Sequence, residues 1–332
     1  MGLFLLLAVF AFCVAIGTPV AFALGISAIG AFWFEGLPLM VGFQRIISGI
    51  NVFSLLAIPF FIFAGELMFH GGIAIRLVKF AQAAVGAMRG GLGIVNVLSS
   101  MLFGGISGSA IADISALGSI LIPVMKDKGY DADYAVNVTV TSSIAGIIIP
   151  PSHNMIIYAI AAGGAVSISK LFLAGVVPGI LMCICLATAA YIVAVKRGYQ
   201  AEKFPGWNAL MFAFIGAIPG LLTAVIIVGG VLSGVFTVTE SGAFGVIYAF
   251  LVTLLVYRSI TWTTFKTAVN QSVKTTAMVM ILIACAAGFA YMLTFYRVPT
   301  QMVNLLAGIT DNPILILLMI NAVLLLLGMI MD

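Results

Sequence analysis

The chain has 332 residues, of which 63% are hydrophobic and only 7% charged, where a soluble domain carries roughly a quarter charged; its mean hydropathy is +1.28. This excludes an ordinary water-soluble globule, and the formal net charge of +4 belongs to loop lysines and arginines, not to a nucleic-acid surface. No GxxxxGK[ST] phosphate loop, HExxH or GxSxG occurs, so the chain has no recognisable means of hydrolysing ATP and no motif of a zinc or serine hydrolase.

Apolar runs able to cross a ~30 Å hydrocarbon core recur along the chain. The first, residues 3–34, is expected to be one span with a weak point at Gly17-Thr18-Pro19; it is too long for a signal peptide and lacks a clear cleavage site. A second covers 52–69 and contains Pro59. Residues 72–88, with Arg76 and Lys79 and followed by Arg89, read as an interfacial amphipathic helix. Residues 92–125 form a hairpin candidate, broken near 104–109 by a Gly/Ser cluster. After the charged loop 126–133 comes a span, 134–162, broken at Pro150-Pro151. A further span, 170–195, ends at Lys196-Arg197. The second half offers spans at 210–233 and 242–257, a second interfacial arm at 259–274, and a span at 275–295. A last apolar run, 313–331, stops at Asp332. Cys13, Cys183, Cys185 and Cys285 lie in apolar runs and read as small buried hydrophobes. Cys183 and Cys185 face different ways on a helix, which argues against a metal pair.

The positive-inside rule places the cationic loops from Arg76 to Lys274 in the cytoplasm, with the N-terminus also inside and with Arg45 and Arg297 outside. The hairpin then opens from the cytoplasm, and the last run starts from the other side. Charges alone do not separate a re-entrant hairpin from two crossings; the Gly/Ser break favours the re-entrant form. AGELM at 64–68 is similar to AGFAYM at 287–292, and the run ending at Asp113 is similar to that ending at Asp332. These suggest inverted repeats, a first over 1–200 and a second, incomplete, over 201–332. The expected fold is an all-α polytopic membrane protein with a helical hairpin and broken helices.

Unwound backbone at membrane depth is costly unless it lines a polar cavity, so the two breaks mark the candidate site. At the hairpin tip, Gly104, Gly105 and Gly108 let the backbone turn and expose carbonyls, and Ser107 and Ser109 add hydroxyl oxygens suited to a hard cation. The competing reading is a GxxxG packing motif. Asp113 is an ionisable group at membrane depth, a functional signal by default; a helix cap or a bond to hairpin backbone is the alternative. At the second break, Ser142, Ser143, Gly146, Pro150, Pro151, Ser152, His153 and Asn154 follow one another, and proline frees a carbonyl of the preceding turn for ligation; a plain kink is the alternative. Glu240 reads as a first-turn acid behind a cap at Thr239.

The segment GGISGSAIADISALGSILIPVMKDKGYD followed by IIIPPS resembles the large membrane subunit of tripartite ATP-independent periplasmic (TRAP) transporters. LLAIPFFIFAGELM at 55–68, LFLAGVVPG at 171–179, GGVLSGVFTVTES at 229–241 and TDNPILILLMINAVLLLLGMIMD at 310–332 extend the resemblance over the whole chain. The resemblance implies a sodium-driven elevator transporter in the bacterial inner membrane. It implies as partners a small membrane subunit and a periplasmic binding protein that delivers a C4-dicarboxylate, sialic acid or another organic acid, with membrane lipid around it. The candidate sodium ligands are then Gly105, Ser107, Ser109, Gly146 and Pro150. The candidate substrate contacts are Ser107, Ser143, Ser152 and Asn154, with Asp113 supporting. The family continues beyond this point with a second Pro-Pro break, so that break is expected past Asp332. A stand-alone ion-coupled anion carrier of the same fold is the rival reading. A channel would need rings of pore-lining polar residues, and an intramembrane enzyme would need paired carboxylates or a Ser/His arrangement that the sequence lacks.

Overall fold

The computed structural model describes residues 1–163, 165–310 and 312–330; Asp332, the expected counterpart of Asp113, lies outside them. The described residues form helices α1 (Gly2–Ala15), α2 (Val20–Phe34), α3 (Leu39–Ile50), α4 (Ala57–His70), α5 (Ile73–Val85), α6 (Gly91–Ser107), α7 (Ala110–Asp127) and α8 (Ala132–Ser143). There follow α9 (Ala145–Ile148), α10 (His153–Ala161), α11 (Ile168–Lys196), α12 (Trp207–Leu232), α13 (Val238–Leu251), α14 (Trp262–Phe295), α15 (Val298–Ile309) and α16 (Pro313–Ile330). No strand occurs among the described residues; one isolated backbone bridge joins Arg89 and Ala201. Among the described residues, five helical stretches are long and apolar enough to cross a membrane, and a sixth is made by Ala132–Ile148 with His153–Ala161, bent by 50° at the Pro-Pro break. The fold is therefore that of an all-α polytopic membrane protein.

Two compact units are present: Met1–Asn51 with Met278–Asp332, and Val52–Ala277. In the first, the single span expected over 3–34 is instead a helical pair. Gly17, at φ +81°, and Pro19 break the run, since glycine accepts the left-handed turn and proline cannot continue the helix ladder. Leu6 of α1 shares a core with Ala31 and Phe32 of α2, so the helices run antiparallel and both ends of the run lie together. Tyr296 donates its hydroxyl to Glu35 at 3.0 Å, and the Arg45 guanidinium lies 4.6 Å from the centre of the Tyr291 ring.

In the second unit α4 lies along α13, and α12 along α5 and α13. Helix α5 has the expected amphipathic spacing, but Ile73, Leu77, Val78 and Ala81 are buried within the protein core, against α6 and α12. Its apolar stripe thus covers protein. Helices α6 to α9 and α11 pack on one another and carry the hairpin and the broken span. The arm expected at 259–274 and the span at 275–295 are one continuous helix, the 34-residue α14, about 51 Å long at 1.5 Å per residue. No glycine or proline lies between Trp262 and Ala287 to separate them. The cap of α13 is Thr237, two residues before the expected Thr239. Thr237 Oγ1 accepts from the Glu240 N–H at 3.3 Å, and Glu240 accepts from the Thr237 N–H at 2.8 Å, a reciprocal capping box. Cys183 is buried while Cys185 is exposed, which bears out their divergence and corrects the expectation that all four cysteines are buried.

Candidate functional site

The hairpin tip is two residues long. Gly108 ends α6 at φ +63° and donates its N–H to Gly104 O at 2.9 Å, the left-handed helix terminus that glycine adopts without steric cost. Ser109 then caps α7, accepting from the Ala112 N–H at 3.4 Å. The facing break follows from proline chemistry: Ile149, before Pro150, is forced out of the helical region to ψ 126°, and neither Pro150 nor Pro151 has an N–H to continue the ladder. The Pro150–Pro151 peptide is cis, and Ser152 stands at the N-cap of α10.

Glycines bring the two breaks together. A Cβ on Gly104 would lie 2.5 Å from Gly146 Cα; one on Gly108 would lie 2.8 Å from Pro151 O, and one on Gly105 3.4 Å from Pro150 O. The carbonyls of both prolines therefore lie beside the hairpin tip. Gly65 of α4 closes another side, where a Cβ would be 3.2 Å from Ser107 Cα.

Asp113 is fully buried. It is the fourth residue of α7, too far in to cap it, and Ser109 performs that role. Its Oδ1 accepts from Ser107 Oγ at 2.5 Å, and its Oδ2 has no hydrogen-bond partner. That free oxygen lies against both glycines: a Cβ on Gly146 would be 2.5 Å from it and one on Gly104 2.7 Å. Among the described residues no lysine or arginine pairs with Asp113. Ser152 is fully buried, and neither its hydroxyl nor His153 Nδ1 has a partner. His153 Nδ1 is 3.4 Å from where a Gly108 Cβ would stand.

The structure thus gathers Gly105, Ser107, Ser109, Gly146, Pro150 and Ser152 around one place, with Asp113 behind it. Ser143 is buried but gives its hydroxyl to Val140 O at 2.7 Å within its own helix, and Asn154 is exposed on α10. The sequence reading missed a buried polar seam between α6 and α8. Asn96 Nδ2 donates to Thr139 Oγ1 at 2.6 Å, Ser142 Oγ to Asn96 Oδ1 at 3.2 Å, and the Ser100 and Ser142 hydroxyls are 2.9 Å apart. Asn96, Ser100 and Gly104 recur every fourth residue on α6, the helical spacing that could have revealed it.

Chemically the gathered donors are mostly oxygens, namely hydroxyls, peptide carbonyls and one buried carboxylate, with the His153 Nδ1 nitrogen beside Gly108. That set fits a hard cation. No group of three or more His, Cys, Asp or Glu that could hold a transition metal occurs among the described residues.

Two polar helix breaks meeting inside a polytopic helical protein are the arrangement of many membrane transporters. The family model for the "Tripartite ATP-independent periplasmic transporter, DctM component" matches residues 7–332, and the chain belongs to that family. It is 37% identical to the 2,3-diketo-L-gulonate TRAP transporter large permease protein YiaN of Escherichia coli (strain K12), over 96% of this chain and 75% of that protein. It is 39% identical to the sialic acid TRAP transporter large permease protein SiaM of Vibrio cholerae, over 94% and 73% respectively. With the isethionate TRAP transporter permease protein DctMQ of Oleidesulfovibrio alaskensis it shares 34% identity, over 97% of this chain and 51% of that one. The chain is thus part of a multi-pass inner-membrane permease.

Proposed function

We propose that this protein is the large transmembrane subunit of a sodium-coupled importer of an organic acid, working by alternating access of elevator type. A small membrane subunit and a periplasmic binding protein that delivers the acid are its partners. Family membership supports the transporter class, and the substrates for which these relatives are named, diketogulonate, sialic acid and isethionate, are all acids. The observation that carries the sodium reading is the oxygen-rich enclosure where the Ser107 hydroxyl, the Pro150 carbonyl and the unpartnered Asp113 oxygen lie close to paired glycines. Ser107 and Ser109, the backbone at Gly105 and Gly146, and the Pro150 carbonyl hold the ion; Asp113 orients Ser107. Ser152 and Asn154, at the start of α10, meet the acid together with Ser107.

The test is uptake into liposomes by the complete transporter with its binding protein, driven by an imposed sodium gradient. Ser107→Ala should raise the half-saturating sodium concentration while leaving expression intact. Uptake that is indifferent to sodium, or a Ser107→Ala variant with wild-type sodium dependence, would remove the sodium site from this place.

A further inference from the structure

Helices α8 and α11 both pack on α6, and a cavity of about 360 Å³ lies in the valley between them. Val97 of α6, Tyr134 of α8 and Ala190 of α11 line it and are buried, so they form its floor. The Tyr134 hydroxyl donates to Ala190 O at 2.9 Å and ties the two helices together through that floor. The α8 wall carries Asn137, Val138 and Thr141, and the α11 wall carries Leu186, Ala189 and Val193. Residues three and four apart share one face of a helix, so each wall is a single helix face. Alanine at 189 and 190 keeps the valley open where a longer side chain would fill it.

The lining changes character along the valley. At one mouth Arg197 pairs with Asp131 and Asp133, each at 2.8 Å, and all three are exposed. Asn137 stands one helical turn further in from Asp133, about 6 Å along the axis, and is exposed. Thr141 gives its hydroxyl to Asn137 O at 2.7 Å within α8, which leaves the rest of the slot to Val138, Leu186, Ala189 and Val193. From Arg197 to Leu186 the valley runs about 16 Å at 1.5 Å per residue, close to half of a ~30 Å hydrocarbon core. Ion pair, amide and apolar slot, within the depth of one leaflet, match the head group, ester linkage and acyl chain of a phospholipid in the same order. A partner's transmembrane helix is too large for the slot: at 10–12 Å across, half sunk along the same length, it would displace roughly 650 Å³.

We propose that the valley between α8 and α11 is a binding site for a zwitterionic phospholipid, with one acyl chain along Val138, Ala189 and Leu186. The Asn137 amide meets the ester oxygens, the head-group phosphate faces Arg197, and the ammonium faces Asp131 and Asp133. A purely anionic head group brings no counter-charge to those two carboxylates. The site is independent of the sodium and acid readings, and its test needs no uptake.

The complete transporter in detergent is exposed to phosphatidylethanolamine with a photoreactive acyl chain, irradiated and digested, and the label is located by mass spectrometry. Label should concentrate at Val138, Leu186 and Ala189, at least fivefold above Leu181, Ile184 and Ile192, which are exposed on α11 outside the valley. Unlabelled phosphatidylethanolamine should compete at least fivefold better than phosphatidylglycerol. Ala189→Phe, which fills the slot from an exposed position, should abolish labelling at Val138 and Leu186, whereas Thr188→Phe, exposed beside it but outside the valley, should leave it within twofold. Label spread evenly over α11 in the wild-type protein, or labelling at Val138 and Leu186 that survives Ala189→Phe, would overturn the site. Equal competition by phosphatidylglycerol would overturn the zwitterionic head group.

Discussion

Replacing Gly104 by alanine adds one methyl group where α6 meets α9. The new carbon would fall 2.5 Å from Gly146 Cα, 2.7 Å from Gly146 N and 2.7 Å from Asp113 Oδ2. Two of these are backbone atoms and the third is a fully buried carboxyl, so none can swing aside, and the cost belongs at the upper end of overpacking, ~3 kcal/mol. Alanine regains ~1 kcal/mol as the better helix former, which leaves about 2 kcal/mol against the closed arrangement of the two breaks. At 1.4 kcal/mol per factor of ten that is a rise of about 30-fold in half-saturating sodium. The comparison is Gly216→Ala in α12, where an added carbon meets nothing within 4 Å; this variant should gain the ~1 kcal/mol of helix propensity and keep its sodium dependence. Uptake against sodium concentration and the thermal unfolding midpoint are measured for both variants in the complete transporter. A Gly104→Ala protein with wild-type sodium dependence and a midpoint equal to that of Gly216→Ala would refute the close apposition of the breaks.

Thr237→Ala removes the capping hydroxyl of α13 and should lower stability by ~0.5–2 kcal/mol without changing sodium dependence, while Thr237→Ser should restore the loss; thermal midpoints of the three proteins check this. The Tyr199 hydroxyl and then the Arg197 guanidinium hold the Asp131 carboxyl below its ordinary range. A carboxyl lowered in the folded state stabilises above its unfolded pKa of about 3.9 and loses that contribution as pH falls through the lower folded value. Arg197→Met should therefore melt earlier than wild type at neutral pH, with the difference starting to shrink as pH falls past about 4; a difference that stays the same at every pH down to full protonation of Asp131 would mean that Arg197 acts by packing alone.

Much of the architecture was legible because glycine and proline leave local marks. Gly108 and Pro150-Pro151 placed both breaks of the site, and Lys196-Arg197 closed α11 where the charge pattern put it. The failures arose where two local signals competed or where the deciding contact was distant. Gly17 and Pro19 were visible, yet reading 3–34 as one span needed only its length; the fold-back is decided by Leu6 meeting Phe32, which no local rule contains. The apolar stripe of α5 had the right spacing, but spacing does not say whether protein or lipid will cover it. Lysines at 266 and 274 suggested a surface arm, while the absence of a helix breaker kept α14 continuous. At the site, side-chain types were readable, whereas Asp113 choosing Ser107 over the helix end depends on a register that only the folded hairpin sets. Gln82 meeting Glu202, 120 positions apart, left no mark along the chain.

The seam of Asn96, Ser100, Thr139 and Ser142 acts as a key between α6 and α8. Shifting one helix past the other by a turn would part donors from acceptors that have no water to turn to, at about 1–3 kcal/mol for each group left unpaired. Helix α7 carries its buried polar contacts at its two ends, Asp113 with Ser107 at the tip and Met125 Sδ with Asn96 at the base; between them Ala116, Leu117 and Leu121 meet their neighbours through apolar atoms, which tolerate displacement far better than paired dipoles do. The hairpin is therefore mechanically lopsided, with one arm keyed along its length and the other held mainly at its ends. If its tip opens to admit an ion by moving α7, Asp113 must part from Ser107, and Gly108, at the root of that arm, is the pivot.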